Sequence, residues 1–213
     1  MGMAVMVVAF ATIAVVVLFD LDPRLEDSRE RILRDFAGTH RATDLRFPGA
    51  AHHPIRPRQG LAADFDLSSS ELSFVEQEIE AELQAKPGNS RLMYLRALVH
   101  LVYLQPGPAI DLLERLRLFS PNDPELLGAL GYAHYLRGRA ERSTGDLLRS
   151  VDFLDQAIAV SPDDPVLLFN AGIVYQRLKN QKEAVSRFRR FLQVSPEDGW
   201  AAEARQRLRD LSR

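Results

Sequence analysis

Pro162-Asp163-Asp164-Pro165-Val166-Leu167-Leu168-Phe169-Asn170-Ala171-Gly172-Ile173-Val174-Tyr175 sets the architecture of this chain. Its first four residues stop one helix and start another. Pro162 ends the first, Asp164 can cap the second through its carboxylate, and Pro165 fits the first helical turn, where no amide hydrogen is needed. The same punctuation, Pro121-Asn122-Asp123-Pro124, stands 41 residues earlier. The unit is therefore repeated.

On either side of these junctions the spacing continues: Pro87, Pro121, Pro162 and Pro196 are 34, 41 and 34 residues apart, each closing a helix-like apolar stretch. A true repeat must also fix where small and large residues fall. Segments 90–123, 124–164 and 165–198 place Ala97, Gly131 and Gly172 at their eighth position, and Ala109, Ser150 and Ala184 at their twentieth. Small residues there let two paired helices approach closely. Met93, Leu127 and Leu168 at the fourth position, with Leu113, Leu154 and Phe188 at the twenty-fourth, fill the space between them. A period of 34 is that of the tetratricopeptide repeat, a helical hairpin that stacks into an array. The third copy resembles that pattern at Leu168, Asn170, Gly172, Tyr175, Ala184, Phe188 and Pro196. The resemblance implies an all-α superhelix of antiparallel hairpins that binds partners and performs no chemistry.

The middle copy is seven residues longer, the excess falling around residues 139–145. This polar insertion either projects as a loop on one face of the stack or simply extends the two helices. An array also needs ends. Ser68 and Glu71 form a capping-box pattern that opens a helix within residues 67–89, with Leu72, Val75, Ile79 and Leu83 on one stripe. Residues 199–213 close the other end as a solvating helix, with Trp200 packed onto the last repeat.

Residues 3–19 are an unbroken apolar run in which Thr12 is the polar exception. As a helix rising about 1.5 Å per residue, this run nearly crosses a hydrocarbon core of about 30 Å. Residues 1–21 thus read as an uncleaved single-pass anchor, with a cleaved signal and a buried helix as the alternatives. A signal would want basic residues before the run and small ones after it, whereas Gly2 precedes it and Leu18-Phe19-Asp20 follows. Arg24, Arg29, Arg31 and Arg34 follow the run, which taken literally keeps the remainder in the cytoplasm. A longer protein with a cytoplasmic segment ahead of Met1 would overrule that count. The expectation for the repeats is a periplasmic or otherwise extracytoplasmic location.

Residues 22–66 join anchor to repeats. A charged stalk carrying Leu25, Ile32, Leu33 and Phe36 leads into a proline-rich connector, residues 47–60, which reads as extended. Leu45, Phe47 and Ile55 of this region could dock onto the first helices of the repeats.

With 213 residues, 46% hydrophobic, and a net charge of −2, the chain suffices for one helical domain plus an anchor. The near-neutral balance argues against nucleic acid as a partner. Zero cysteines exclude disulfides, thiolate zinc sites and cysteine nucleophiles. Three lysines against 24 arginines point to a GC-rich bacterial source. No phosphate-binding glycine loop, Gly-x-Ser-x-Gly elbow or His-Glu-x-x-His is present, and no cofactor or metal is expected. His52 and His53 lack a third ligand at defined spacing and read as a linker pair. His100 and His134 share one repeat position, where the third copy has Tyr175, and read as packing aromatics rather than a proton-responsive pair.

In such hairpins the first helix lines a concave groove. Here its candidate partner-binding residues are Tyr94 and Leu98 from the first copy, Tyr132 and Tyr135 from the second, and Phe169, Asn170, Ile173 and Arg177 from the third. Tyrosines offer flat contact area with a hydrogen-bonding tip, and Asn170 could hold a peptide backbone. An apolar extended or helical segment is the implied ligand. Equally, the linker over residues 45–55 could cover the groove in cis. Tyr94 and Leu98 stand where carboxylate-gripping repeats carry lysine and asparagine, so that binding mode does not fit.

Leu45-Arg46-Phe47-Pro48-Gly49-Ala50 with Pro54-Ile55-Arg56, the long middle repeat, and the ending Gly199-Trp200-Ala201 resemble the repeat region of bacterial membrane-anchored tetratricopeptide proteins. Those proteins often carry an anti-sigma-like zinc finger before the anchor and a CHAT protease-like domain after the repeats, neither of which maps onto this chain. The resemblance implies a scaffold for a protein or peptide partner, an integral membrane protein among the candidates. The alternatives are a regulatory part of a CHAT-type protease system and an assembly subunit of a membrane complex.

Overall fold

In the computed structural model, residues 43–47, 70–197 and 199–212 are described. The proposed anchor at residues 1–21, most of the stalk and connector, and Ser68 of the capping box lie outside them. Among the described residues there is no strand. The chain forms α1 (Ser70–Ala85), α2 (Ser90–Val102), α3 (Pro106–Arg117), α4 (Pro124–Glu141), α5 (Thr144–Val160), α6 (Pro165–Arg177), α7 (Gln181–Val194) and α8 (Gly199–Leu211). No helix among the described residues is long and apolar enough to cross a membrane.

Five of these helices start at a capping side chain. Asp123 accepts from the amides of Glu125 and Leu126 at 2.9 and 3.4 Å, and Asp164 from those of Val166 and Leu167 at 2.8 and 3.0 Å. Pro124 and Pro165 follow as first helical residues, as the sequence pattern requires. Asn89, Ser143 and Asn180 cap α2, α5 and α7 in the same manner.

Within each hairpin the chain reverses through one shared device. Leu104, Arg142 and Lys179 adopt left-handed φ values of 56°, 54° and 59°. The next amide then reaches back five residues: Gln105 to the His100 carbonyl at 2.8 Å, Ser143 to Gly138 at 3.0 Å, Asn180 to Tyr175 at 2.9 Å. This 6→1 bond satisfies a carbonyl left open at the helix end.

Successive helices pack in chain order from α1 to α8, and in addition α2 touches α4 and α4 touches α6. The pairs α2–α3, α4–α5 and α6–α7 are therefore three stacked hairpins whose first helices share one face. The small residues act where the repeat phase puts them. A Cβ on Gly131 would stand 2.7 Å from Leu154 Cγ, and one on Gly172 would stand 2.7 Å from Phe188 Cε1. Hydrogen at these positions is what lets the helices meet. Ser150 adds a bond from its hydroxyl to the Gly131 carbonyl at 2.6 Å.

The long middle copy has no projecting loop. Its extra residues lengthen both helices, so that α4 has 18 residues and α5 has 17, against 13 and 12 in the first hairpin and 13 and 14 in the third. Helix propagation adds a hydrogen bond for each residue fixed, and the turn shrinks to Arg142 and Ser143. A polar cluster binds the extended ends. The buried Asp146 carboxylate on α5 takes Arg137 at 2.6 Å and lies 2.9 Å from His134 Nδ1, both on α4. His134 is more than a packing aromatic: it stacks on Phe153, centroids 5.4 Å apart, and also holds this carboxylate.

Candidate functional site

The shared face of α2, α4 and α6 is not bare. Residues 43–47 lie against its α4 and α6 part, and their side chains alternate between buried and partly exposed. Thr43, Leu45 and Phe47 are 4%, 1% and 1% exposed, while Asp44 and Arg46 between them are only partly buried. Local sequence favours this shape, because Phe47 precedes Pro48, which disfavours helical backbone at the residue before it.

Asn170 on α6, itself 2% exposed, grips the segment's backbone. Its Oδ1 accepts the Arg46 amide at 2.6 Å and its Nδ2 donates to the Arg46 carbonyl at 2.7 Å. Both polar groups of one peptide residue are thereby satisfied, as one edge of a β-ladder would satisfy them. The four-carbon reach of lysine or the acceptor-only carboxylate of aspartate could not do the same.

Side-chain contacts set the register. Asp44 accepts from the Tyr135 hydroxyl at 3.2 Å and pairs with Arg177, whose guanidinium stands at the open edge of the face. Thr43 and Tyr132 share a hydroxyl hydrogen bond at 3.1 Å. Phe47 meets Tyr132 edge-on, ring centroids 5.5 Å apart. The Arg46 guanidinium carbon sits 5.3 Å from the Trp200 ring centroid, so α8 contributes to the site as well.

Electrostatics follow from this geometry. Burial opposes ionisation of Asp44, yet the Arg177 pair and the further charges of Arg207 and Arg139 outweigh it and hold the carboxyl below its ordinary value. Burial and the neighbouring Asp44 charge push the Tyr135 phenol up to about 12, so it stays a donor.

The structure thus brings Tyr132, Tyr135, Asn170 and Arg177 onto the bound segment. Tyr94 and Leu98 of α2 and Ile173 of α6 are buried, 7%, 1% and 1% exposed. Phe169 serves the core instead, its ring 5.8, 5.4 and 5.0 Å from those of Phe188, Phe191 and Trp200. Ile55, expected to dock with Leu45 and Phe47, lies outside the described residues. Sequence reasoning missed Thr43, Asp44 and Arg46. The available signal was the alternation Asp44-Leu45-Arg46-Phe47, polar and apolar at a period of two. Among the described residues no cluster of His, Cys, Asp and Glu could hold a metal ion.

No family model matches the chain, and no curated protein is similar to it in sequence. Solved structures are similar in shape. A MamA crystal structure aligns with a TM-score of 0.52 at 19% identity, covering 70% of this chain and 86% of that one. TTC0263, a thermophilic TPR protein of Thermus thermophilus, aligns at 0.56 and 21%, covering 68% and 75%. A second MamA structure gives 0.52 and 16%, covering 68% and 80%. With α2–α3, α4–α5 and α6–α7 as its three hairpins, the chain has the tetratricopeptide-repeat fold.

Proposed function

We propose that the protein is a membrane-tethered, non-catalytic scaffold of the bacterial envelope whose inner repeat face holds an extended segment of a protein partner. The observation that carries this reading is the Asn170 amide, which binds both backbone groups of Arg46 in a manner independent of side-chain identity. A surface built to hold one extended peptide is built to hold a class of them. The tether reading rests on the apolar run at residues 3–19, and the envelope location follows from that tether. An integral membrane protein is the partner class such a tether favours, since both would then be confined to one bilayer.

Two measurements on the full chain test this. Membrane fractions washed with alkaline carbonate should retain the protein until detergent is added; release by carbonate removes the tether. A photo-crosslinking residue at position 139, beside the Tyr135 ring at the edge of the groove, should yield a stoichiometric adduct with one protein in native membranes. Crosslinks to nothing, or equally to many abundant proteins, would count against the scaffold.

A further inference from the structure

The occupied groove contains its own specification. Reading along the segment, the site takes a carboxylate at Asp44, between the Tyr135 hydroxyl and the Arg177 guanidinium. It buries an aliphatic side chain at Leu45, and at Arg46 it reads the backbone through Asn170 and the guanidinium over Trp200. It closes on an aromatic ring at Phe47 against Tyr132. The contacts that stack the hairpins do not run through this segment, although Leu45 and Phe47 join the hydrophobic core. Gly131 against Leu154, Gly172 against Phe188 and the helix caps all lie among the helices themselves. An isolated five-residue segment, by contrast, has no core of its own and depends on the groove.

The connection back to the repeats has the composition of a tether. Residues 48–69 hold Pro48, Pro54 and Pro57 with Gly49 and Gly60. A short segment on such a linker faces its groove at an effective concentration on the order of millimolar. Its polar anchor, the Asp44–Arg177 pair, stands at an edge open to solvent, where Arg177 is 42% exposed.

We propose that residues 43–47 are a displaceable self-ligand, and that the same groove accepts from a protein partner an extended segment of the pattern acidic, aliphatic, basic, aromatic. This inference rests on the scaffold reading above and adds its regulation. The partner must outcompete a tethered copy of its own recognition sequence, so a weak ligand is excluded and a strong or locally concentrated one is admitted.

The test uses the full chain in mild detergent and a fluorescein-labelled peptide spanning residues 40–50. In a chain carrying Asp44→Ala and Phe47→Ala, the self-ligand is disabled and the peptide should bind in trans. The unaltered chain should bind it about tenfold more weakly or worse, because the tethered copy competes. Adding Asn170→Ala to the disabled chain should abolish binding, and a peptide with alanine at its own Asp and Phe positions should not bind at all. A disabled chain that keeps its helical circular dichroism and cooperative melting but takes no peptide would overturn the proposal, as would equal binding by both chains. So would a disabled chain that cannot fold, since the segment would then be part of the core. A dimer of the unaltered chain that the Asp44→Ala, Phe47→Ala pair dissolves would also overturn it, placing a second copy in the groove. Loss of peptide binding with the crosslink at position 139 intact defeats this inference alone; loss of the crosslink in both chains defeats the scaffold reading.

Discussion

The Asn170 side-chain amide pairs with both backbone polar groups of Arg46, 124 residues earlier in the chain, at 2.6 and 2.7 Å. Truncating it leaves a peptide N–H and C=O without these partners. Asn170→Ala should therefore lower stability by about 1–3 kcal/mol. Chemical denaturation followed by circular dichroism checks the size, and a loss within error of zero would show the two bonds to be replaceable by water.

Two glycines of one fold should respond oppositely to a methyl group. At Gly172 the new Cβ would lie 2.7–2.9 Å from the Phe188 ring, which is itself packed on Phe169 and cannot yield cheaply. Gly172→Ala should cost about 1–3 kcal/mol. At Gly145, in the first turn of α5, the nearest atom a Cβ would meet is the Ser143 hydroxyl oxygen at 3.7 Å, an ordinary contact. There the same change restricts the unfolded chain and should stabilise by about 0.4–1 kcal/mol. Thermal melts of the two variants, side by side, separate packing from backbone entropy.

The hairpin turns hold a left-handed residue that is never glycine: Leu104, Arg142 and Lys179. A Cβ in this region costs roughly 1–2 kcal/mol. Lys179 and Arg142 are exposed, so glycine sacrifices little else there. Lys179→Gly should raise stability by somewhat less than that cost, about 0.5–1 kcal/mol after glycine's own entropy loss, measured as an upward shift in the denaturation midpoint.

Stability should fall on acidification in two stages. Burial, with the nearby charges of Arg137 and Arg149, depresses His134 below its ordinary 6.5 despite the Asp146 hydrogen bond. The unfolded chain then takes up the proton first, so this contribution is complete above about pH 6.5 and is lost as pH falls through the folded value. Asp146 opposes its own burial cost with bonds from Arg137, His134 and Ser143 and lies far below its ordinary 3.8, so its contribution holds above that pH and fails beneath it. Urea midpoints should be level from pH 8 to 7 and decline as pH falls below about 6.5. His134→Phe should flatten that decline while leaving the later one.

How much of this was written in the sequence depends on whether a residue belongs to the repeat. The Gly131–Leu154 and Gly172–Phe188 contacts were legible because three aligned copies fix the phase of every helix, and the caps at Asp123 and Asp164 because their reach is local. Leu45 and Phe47 were legible as apolar residues in a segment unable to be helical. Thr43, Asp44 and Arg46 were not, because a five-residue segment gives two alternations and no more, and its partners lie about ninety residues or more away. The middle insertion was ambiguous for a different reason. A polar run such as Arg139-Ala140-Glu141-Arg142 suits loop and helix alike, and the Asp146 cluster that favours helix joins residues on two elements.

Whether the inner face of the repeats holds residues 43–47 as a peptide is open to hydrogen exchange on the full chain. The Arg46 amide, donated to Asn170, should exchange far more slowly than an unstructured amide, and Asn170→Ala should release it while α4 and α6 stay protected. An Arg46 amide that exchanges at the unprotected rate in the unaltered chain would mean that the groove does not hold this segment.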